Sequence, residues 1–190
     1  MVHKKKTDII LTLYRDDRTV FRLIDVAMLT GETHRESLGK KLNYYVRTGQ
    51  LQNPRKGIYV KPGYDPEELA CRIYTPSYIS LEYVLQKSGV IFQYDRQITL
   101  VSYLSRRITT DGLILRYRKI RDELLVNSTG LTRPTPYVTI ALPERAFLDL
   151  LYLDPYFYFD NPHVLKRSLV MRMLPEYRSK ALAQRVEKIL

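Results

Sequence analysis

The stretch NPRKGIYVKPG, residues 53–63, decides how the first third of this chain is read. Arg55 and Lys56 stand directly before Gly57, and Ile58-Tyr59-Val60-Lys61 then runs to a Pro-Gly stop. Glycine admits left-handed backbone, so Gly57 marks a tight turn between two short arms. The result is a small ribbon with two cations and no acid at its tip. Just before it, residues 33–49 carry helical spacing. Leu38, Leu42, Tyr45 and Val46 fall on one face, and Lys40, Asn43, Tyr44 and Arg47 on the other. Thr33 is the expected N-cap, with Glu36 completing a capping box, and Gly49 ends the helix.

Two shorter helices are predicted upstream. Ile9, Ile10, Leu13 and Tyr14 define the first, behind a lysine run, and Asp16-Asp17-Arg18 breaks it. Phe21, Leu23, Ile24, Val26, Ala27 and Leu29 define the second, which stops at Thr30-Gly31. The order is therefore helix, helix, tight turn, helix, two-stranded ribbon, which is that of a winged helix-turn-helix. In that geometry the third helix enters the major groove and the ribbon tip lies against the neighbouring backbone. Thr33, His34, Ser37, Lys40, Lys41 and Tyr44 are side chains that bond phosphate oxygens or base edges, and Arg55 and Lys56 suit phosphates. A solvated helix face and a charge-protected edge ribbon would carry similar residues. Glu36 either caps the helix or accepts from a cytosine amino group.

Composition agrees with an anionic partner. The 190 residues carry a formal net charge of +11, with 45% hydrophobic and 27% charged residues. Residues 1–64 hold 13 Lys/Arg against 6 Asp/Glu, and residues 65–190 hold 18 against 14. Such a field favours nucleic acid, an acidic membrane surface or an acidic protein. No apolar run approaches the roughly 20 residues that span a bilayer, and the basic N-terminus lacks the apolar core of a secretory signal. The single cysteine, Cys71, excludes an internal disulfide. A cytoplasmic protein is expected.

The remainder reads as α+β. Residues 62–76 look like a connecting stretch with one amphipathic helix, punctuated by Pro62, Pro66 and Pro76, and the connector between the domains is set at 65–76. A helix is predicted from Ser77 or Ser80 to Lys87. Strands are predicted at Val90-Ile91-Phe92, at Ile98-Thr99-Leu100-Val101, at residues 112–117 and at residues 137–140. The turn Tyr94-Asp95-Arg96 separates the first two, and residues 132–136 form a loop. Pro143 opens a strongly apolar helix, and two more helices follow Asn161-Pro162 and Pro175. The expected architecture is a winged helix over 1–64, then a mixed α/β C-terminal domain over 77–190 with a small sheet and several helices.

No catalytic constellation stands out. His3, His34 and His163 lack metal-ligand spacing, no Gly-rich phosphate loop is present, and no cofactor is expected. Glu144, Arg145 and Asp149 suit an intrahelical ion pair or a partner contact. Sixteen tyrosines, some alternating with arginine at 103–107 and 116–118, suit either stacked bases or a core and protein interface. The YFYF cluster at 156–159 reads as packing or a partner surface.

In this order and spacing the chain resembles the AbiEi-type antitoxins of type IV toxin–antitoxin systems. The likeness rests on the segment leading through RKGIYVKPG, on PSYISLEYVLQKSGVI, and on TIALPERAFLDLLYL, and it covers most of residues 7–155. The resemblance implies a cytoplasmic bacterial repressor that binds inverted repeats in its own promoter, where two copies suit one site. It also implies a C-terminal region that counteracts a nucleotidyltransferase-like toxin. Thr33, Ser37, Lys40, Lys41 and Tyr44 match the family's recognition helix, and Arg55, Lys56 and Lys61 match its wing. A winged-helix adaptor for an acidic protein, a plain regulator without antitoxin activity, and an enzyme acting on nucleic acid are the competing readings.

Overall fold

A computed structural model describes residues 8–93 and 95–190. His3, the lysine run at 4–6 and Tyr94 lie outside the described residues. The chain divides into two compact units, Met1–Ile73 and Tyr74–Leu190.

In the first unit, helix α1 spans Ile9–Arg15, and Asp8 caps it by accepting from the Ile10 and Leu11 N–H groups. Strand β1 (Val20–Arg22) and helices α2 (Leu23–Thr30) and α3 (Arg35–Arg47) follow, then strands β2 (Gln52–Arg55) and β3 (Ile58–Val60) and helix α4 (Pro66–Ile73). The strands form an antiparallel sheet in the order β1-β3-β2, with Phe21 opposite Tyr59 and Arg55 opposite Ile58. The ribbon therefore has a third strand where the sequence reading placed the start of a helix. Three residues are too few to display alternation. The helix starts at Leu23 because the Asp25 carboxylate accepts from the Arg22 N–H at 2.8 Å, which terminates β1. Ile9, Leu13, Phe21, Val26, Leu38, Leu42, Leu51 and Tyr59 make one core.

Helix α4, expected in a connector, packs into this unit. Glu68, Leu69, Ala70 and Cys71 are buried, and the Glu68 carboxylate accepts from the Thr19 N–H (2.9 Å), the Thr19 hydroxyl (2.6 Å) and the Val20 N–H (3.3 Å). Arg72 pairs with Asp25, joining α4 to α2. The charge distribution changes accordingly. Residues 1–73 hold 14 Lys/Arg against 9 Asp/Glu, and residues 74–190 hold 17 against 11. The excess of the first third depended on ending it before Asp65, Glu67 and Glu68; by structural unit the positive charge is shared almost equally.

The second unit contains β4 (Ser77–Ile79), α5 (Glu82–Lys87), β5 (Gln97–Ser102), β6 (Arg106–Thr110), β7 (Leu113–Lys119), α6 (Asp122–Val126), β8 (Leu131–Thr135), β9 (Val138–Ala141), α7 (Pro143–Leu153), α8 (Arg167–Met173) and α9 (Lys180–Ile189). Its six-stranded mixed sheet has the order β6-β7-β5-β4-β9-β8. β5 runs parallel to β7, and β4 parallel to β9. Asp111 and Gly112 both have positive φ (53° and 76°), the pairing that lets a two-residue hairpin turn follow the sheet twist. The described residues thus form a mixed α+β chain with two sheets.

Three local expectations change. Ser77–Ile79 is strand, and the helix begins only at Glu82. Val90 and Ile91 are buried without joining a sheet; the Val90 N–H donates to Leu85 and its carbonyl accepts from the Asn161 N–H. The proline-containing loop at 132–136 is largely β8, a terminal strand, where Pro134 removes no ladder bond that a second neighbour would need.

Helix α7 is buried from Glu144 to Leu151. Asp149, with no exposed surface, accepts from Tyr78 (3.0 Å), Ser80 (2.8 Å), Tyr177 (2.6 Å) and Arg145 (3.2 Å). Arg145, equally buried, donates to the carbonyls of Leu124 (2.7 Å) and Thr129 (3.0 Å) and to the Tyr78 hydroxyl (3.1 Å). The intrahelical ion pair anticipated from the sequence is present, inside the core. Burial pushes the Asp149 carboxyl up against the pull of Arg145. Burial and the Asp149 charge push the Tyr78 and Tyr177 hydroxyls well up, so both stay neutral donors. Glu144 accepts from the Lys166 N–H at the start of α8 (3.1 Å).

Asp149→Ala strands the Arg145 guanidinium and should cost about 3–5 kcal/mol, read as a lowered urea midpoint. Asp25 gives a pH signature. Burial opposes its ionisation, but hydrogen bonds and charge from Arg22 and Arg72 hold its carboxyl below the ordinary value. Its stabilising contribution is therefore complete above the unfolded value of about 4 and is lost as pH falls through the folded one. Acid titration of chemical stability should show this loss, and Asp25→Asn should flatten it.

Candidate nucleic-acid interface

Helix α3 is held by its inner face. Leu38 and Leu42 have no exposed surface, and Tyr45 and Val46 are half-buried against the same core. The opposite face is fixed in solvent by default: Arg35, Glu36, Ser37, Lys40, Asn43, Tyr44 and Arg47 are all exposed. Tyr44 stands 53% exposed, edge-on to Tyr45 at 5.7 Å.

The helix begins differently from expectation. His34 occupies the N-cap position and its side chain makes no capping bond, so the Thr33–Glu36 box does not form. Thr33 and His34 lie exposed in the segment preceding the helix. Glu36 instead pairs with Lys40 at 3.3 Å, one turn on. Both side chains are highly exposed, and such a pair contributes a few tenths of a kcal/mol at most. Lys41 is half-buried and pairs with Glu32, whose carboxyl the contact holds down. Of the two lysines, Lys40 is the one that phosphate can recruit at little cost.

Residues 52–60 place the other cations. Arg55 ends β2 and is exposed, and Lys56 is exposed at the turn. Gly57 takes φ of 80° there, and its carbonyl accepts from the Leu23 N–H at 3.0 Å. That bond ties the ribbon tip to the first residue of α2. Asn53 braces it further, donating to the carbonyls of Arg55 (2.9 Å) and Ile58 (2.6 Å).

Lys61 is not at the tip. It lies beyond β3, half-buried, with its ammonium on the Asp16 carbonyl and over the rings of Tyr14 (5.9 Å) and Phe21 (5.7 Å). It closes the end of α1 onto the sheet, and its match to the wing of the resembling family is not expressed as an outward charge. The first unit thus brings together Ser37, Lys40 and Tyr44 on one helix face and Arg55 and Lys56 on one ribbon end. Thr33 and His34 flank the helix, while Lys41 and Lys61 are engaged within the fold. Arg35 and Arg47 are the exposed cations that the sequence reading left out of the site. Arg47 shares the face of Lys40 by i,i+7 spacing, so its signal was in the pattern; Arg35 became visible only once the helix start was known.

Among the described residues no group of three or more His, Cys, Asp or Glu side chains is arranged to hold a metal ion, and no described helix is long and apolar enough to cross a membrane. No protein-family model matches the chain, and no curated protein matches it in sequence.

Lys61 and Lys56 should separate in a stability assay. Lys61→Ala loses one hydrogen bond and two ring contacts and should lower unfolding free energy by about 1 kcal/mol. Lys56→Ala should leave thermal unfolding unchanged.

Proposed function

We propose that the first unit is a winged helix-turn-helix that binds duplex DNA, with α3 as recognition helix and the β2–β3 turn as wing. The observation that carries this reading is the pairing of an outward polar face on α3 with a braced cationic turn that follows it in the chain. In such a complex Arg55 and Lys56 neutralise phosphates and release counterions, which supplies sequence-independent affinity. Ser37, Lys40 and Tyr44 face base edges and adjoining phosphates, which supplies preference. Arg35 and Arg47 extend the positive face toward both ends of the helix. Glu36 sets a cost, since it repels phosphate unless Lys40 stays beside it or a cytosine amino group meets it.

The resemblance to the AbiEi type extends this reading to a cytoplasmic transcriptional repressor that regulates its own operon. The same likeness extends it to an antitoxin that counteracts a nucleotidyltransferase-like toxin, with the second unit as the effector part. The likeness supports the antitoxin role, and the charge and topology of the first unit support DNA binding.

The test is a binding titration of the full chain against its own upstream DNA and a shuffled duplex, repeated across salt. The Arg55→Ala/Lys56→Ala variant should weaken both duplexes alike and reduce the slope of log affinity against log salt by about 1.8, near 0.9 per phosphate contact. Ser37→Ala or Lys40→Ala should instead narrow the gap between the two duplexes, by about 1–3 kcal/mol for a direct base contact. An unchanged slope in the wing variant refutes the wing assignment. No salt-sensitive binding at all leaves an acidic protein as the partner. Growth rescue on co-expression with a neighbouring nucleotidyltransferase-like gene tests the antitoxin role separately.

A further inference from the structure

The β6–β7 hairpin of the second unit concentrates charge that the DNA-binding reading does not use. Residues 103–119 contain four arginines and one lysine against a single aspartate. Arg107 and Arg116 are direct cross-strand partners, so both project from the same face, and Arg118 follows two residues along β7 on that face. Like charges directly opposed on a sheet are destabilising. One carboxylate answers them: Glu82 lies 3.7 Å from Arg116 and 3.8 Å from Arg118. Arg118 also donates to the Leu153 carbonyl. Arg107 has no acidic partner among the described residues, and neither does Arg106, which projects from the opposite face opposite Tyr117.

Four features say what kind of anion fits. β6 is the terminal strand of its sheet, so every second residue turns its backbone N–H and C=O away from β7 toward an edge that no described strand occupies. Its two arginines lie on opposite faces of that edge, which a strand carrying acids on both sides can meet and a row of phosphates along one face cannot. The cations are arginine at four of five positions, the residue enriched at protein interfaces, whereas lysine is the usual edge protector and is depleted there. Edge protection also gives no reason for Arg116 on the inner strand. At the base of the hairpin, Tyr103 is 41% exposed and held edge-on to Tyr74 at 6.3 Å, an aromatic anchor of the kind that interfaces favour.

We propose that the open edge of β6 is a docking site for an extended acidic segment of a partner protein, which adds a strand to the sheet and sets its carboxylates against Arg106, Arg107 and Arg116. Backbone pairing supplies the affinity and the arginines the selectivity. The site lies within the second unit and does not depend on the DNA-binding reading.

The probe is a fluorescein-labelled peptide of repeating Glu-Glu-Thr-Thr, which sets glutamates on both faces of an extended strand, titrated into the full chain by anisotropy. A second peptide replaces alternate threonines by proline, keeping the charge but removing ladder donors. A single-stranded oligonucleotide of equal charge is the third. The Glu-Glu-Thr-Thr peptide should bind and should slow amide hydrogen exchange within residues 106–110 of the unsubstituted protein. Arg106→Gln/Arg107→Gln should weaken it at least about tenfold with a thermal melt no lower than the parent's, and Arg55→Ala/Lys56→Ala should leave it unaffected. The proposal is overturned if the proline peptide binds equally well. It is equally overturned if no peptide binds up to about 1 mM, if exchange in β6 does not slow, or if the hairpin variant weakens only the oligonucleotide.

Discussion

Four carboxylates are buried among the described residues, Asp25, Glu68, Glu144 and Asp149, and each joins segments that are far apart or differently structured. Unpartnered buried carboxylates would cost several kcal/mol, so each dictates where its neighbours must lie. Asp25 fixes the transition from β1 to α2 and receives Arg72 from α4. Glu68 reaches from α4 to the backbone of Thr19 and Val20. Glu144 takes the first N–H of the α8 turn, and Asp149 gathers β4, α7 and the turn containing Tyr177 around one guanidinium. In both units the hydrophobic core sets which faces are inside, and these carboxylates set the register of what surrounds it.

The proposed DNA-binding surface follows from that arrangement. The outer face of α3 is available because Leu38 and Leu42 occupy the inside, and the ribbon tip is held in place because the Gly57 carbonyl takes the first N–H of α2. Pre-positioned cations lose little side-chain and loop freedom on contact, which leaves more of the counterion-release energy as affinity. The internal pairing of Lys41 with Glu32 and of Lys40 with Glu36 reduces the standing field of the helix. In the proposed complex the sequence-independent attraction would then rest chiefly on Arg55, Lys56, Arg35 and Arg47. In that proposal the polar side chains of the helix would distinguish one sequence from another.

The second unit distributes its aromatic residues by the same inside–outside logic. In the cluster at 156–159, Phe157 and Phe159 pack together at 5.1 Å and Phe159 meets Phe147 at 4.7 Å, whereas Tyr156 and Tyr158 stand in solvent. Both sequence readings of that cluster, packing and surface, hold for alternate residues. The tyrosines among the arginines divide likewise. Tyr117 is enclosed in the sheet and meets Tyr74 edge-on at 4.9 Å, while its neighbours Arg116 and Arg118 reach the other face, where α5 offers Glu82.

Periodicity and turn chemistry carried much of the fold by themselves. The face of α3, the turn at Gly57, the strands at 98–101 and 113–117, and the Pro143 start of α7 are local properties, set by side-chain spacing and by backbone restrictions at Gly and Pro. The ion pair Arg145–Asp149 was legible for the same reason, being one turn apart on one helix. What spacing could not give was β1, β4, β6 and β8, because strands of three to five residues are defined by the neighbour that completes their hydrogen bonds, and that neighbour is distant in sequence. The same limit applied to the site. Ser37, Lys40, Tyr44, Arg55 and Lys56 were chosen by type and position and are exposed, but nothing local distinguishes them from Lys41 and Lys61, which the fold turns toward Glu32 and toward the Asp16 carbonyl. Whether a cation faces solvent or an internal acceptor depends on which acceptors the tertiary packing brings within a few ångströms, and that is a property of the folded chain.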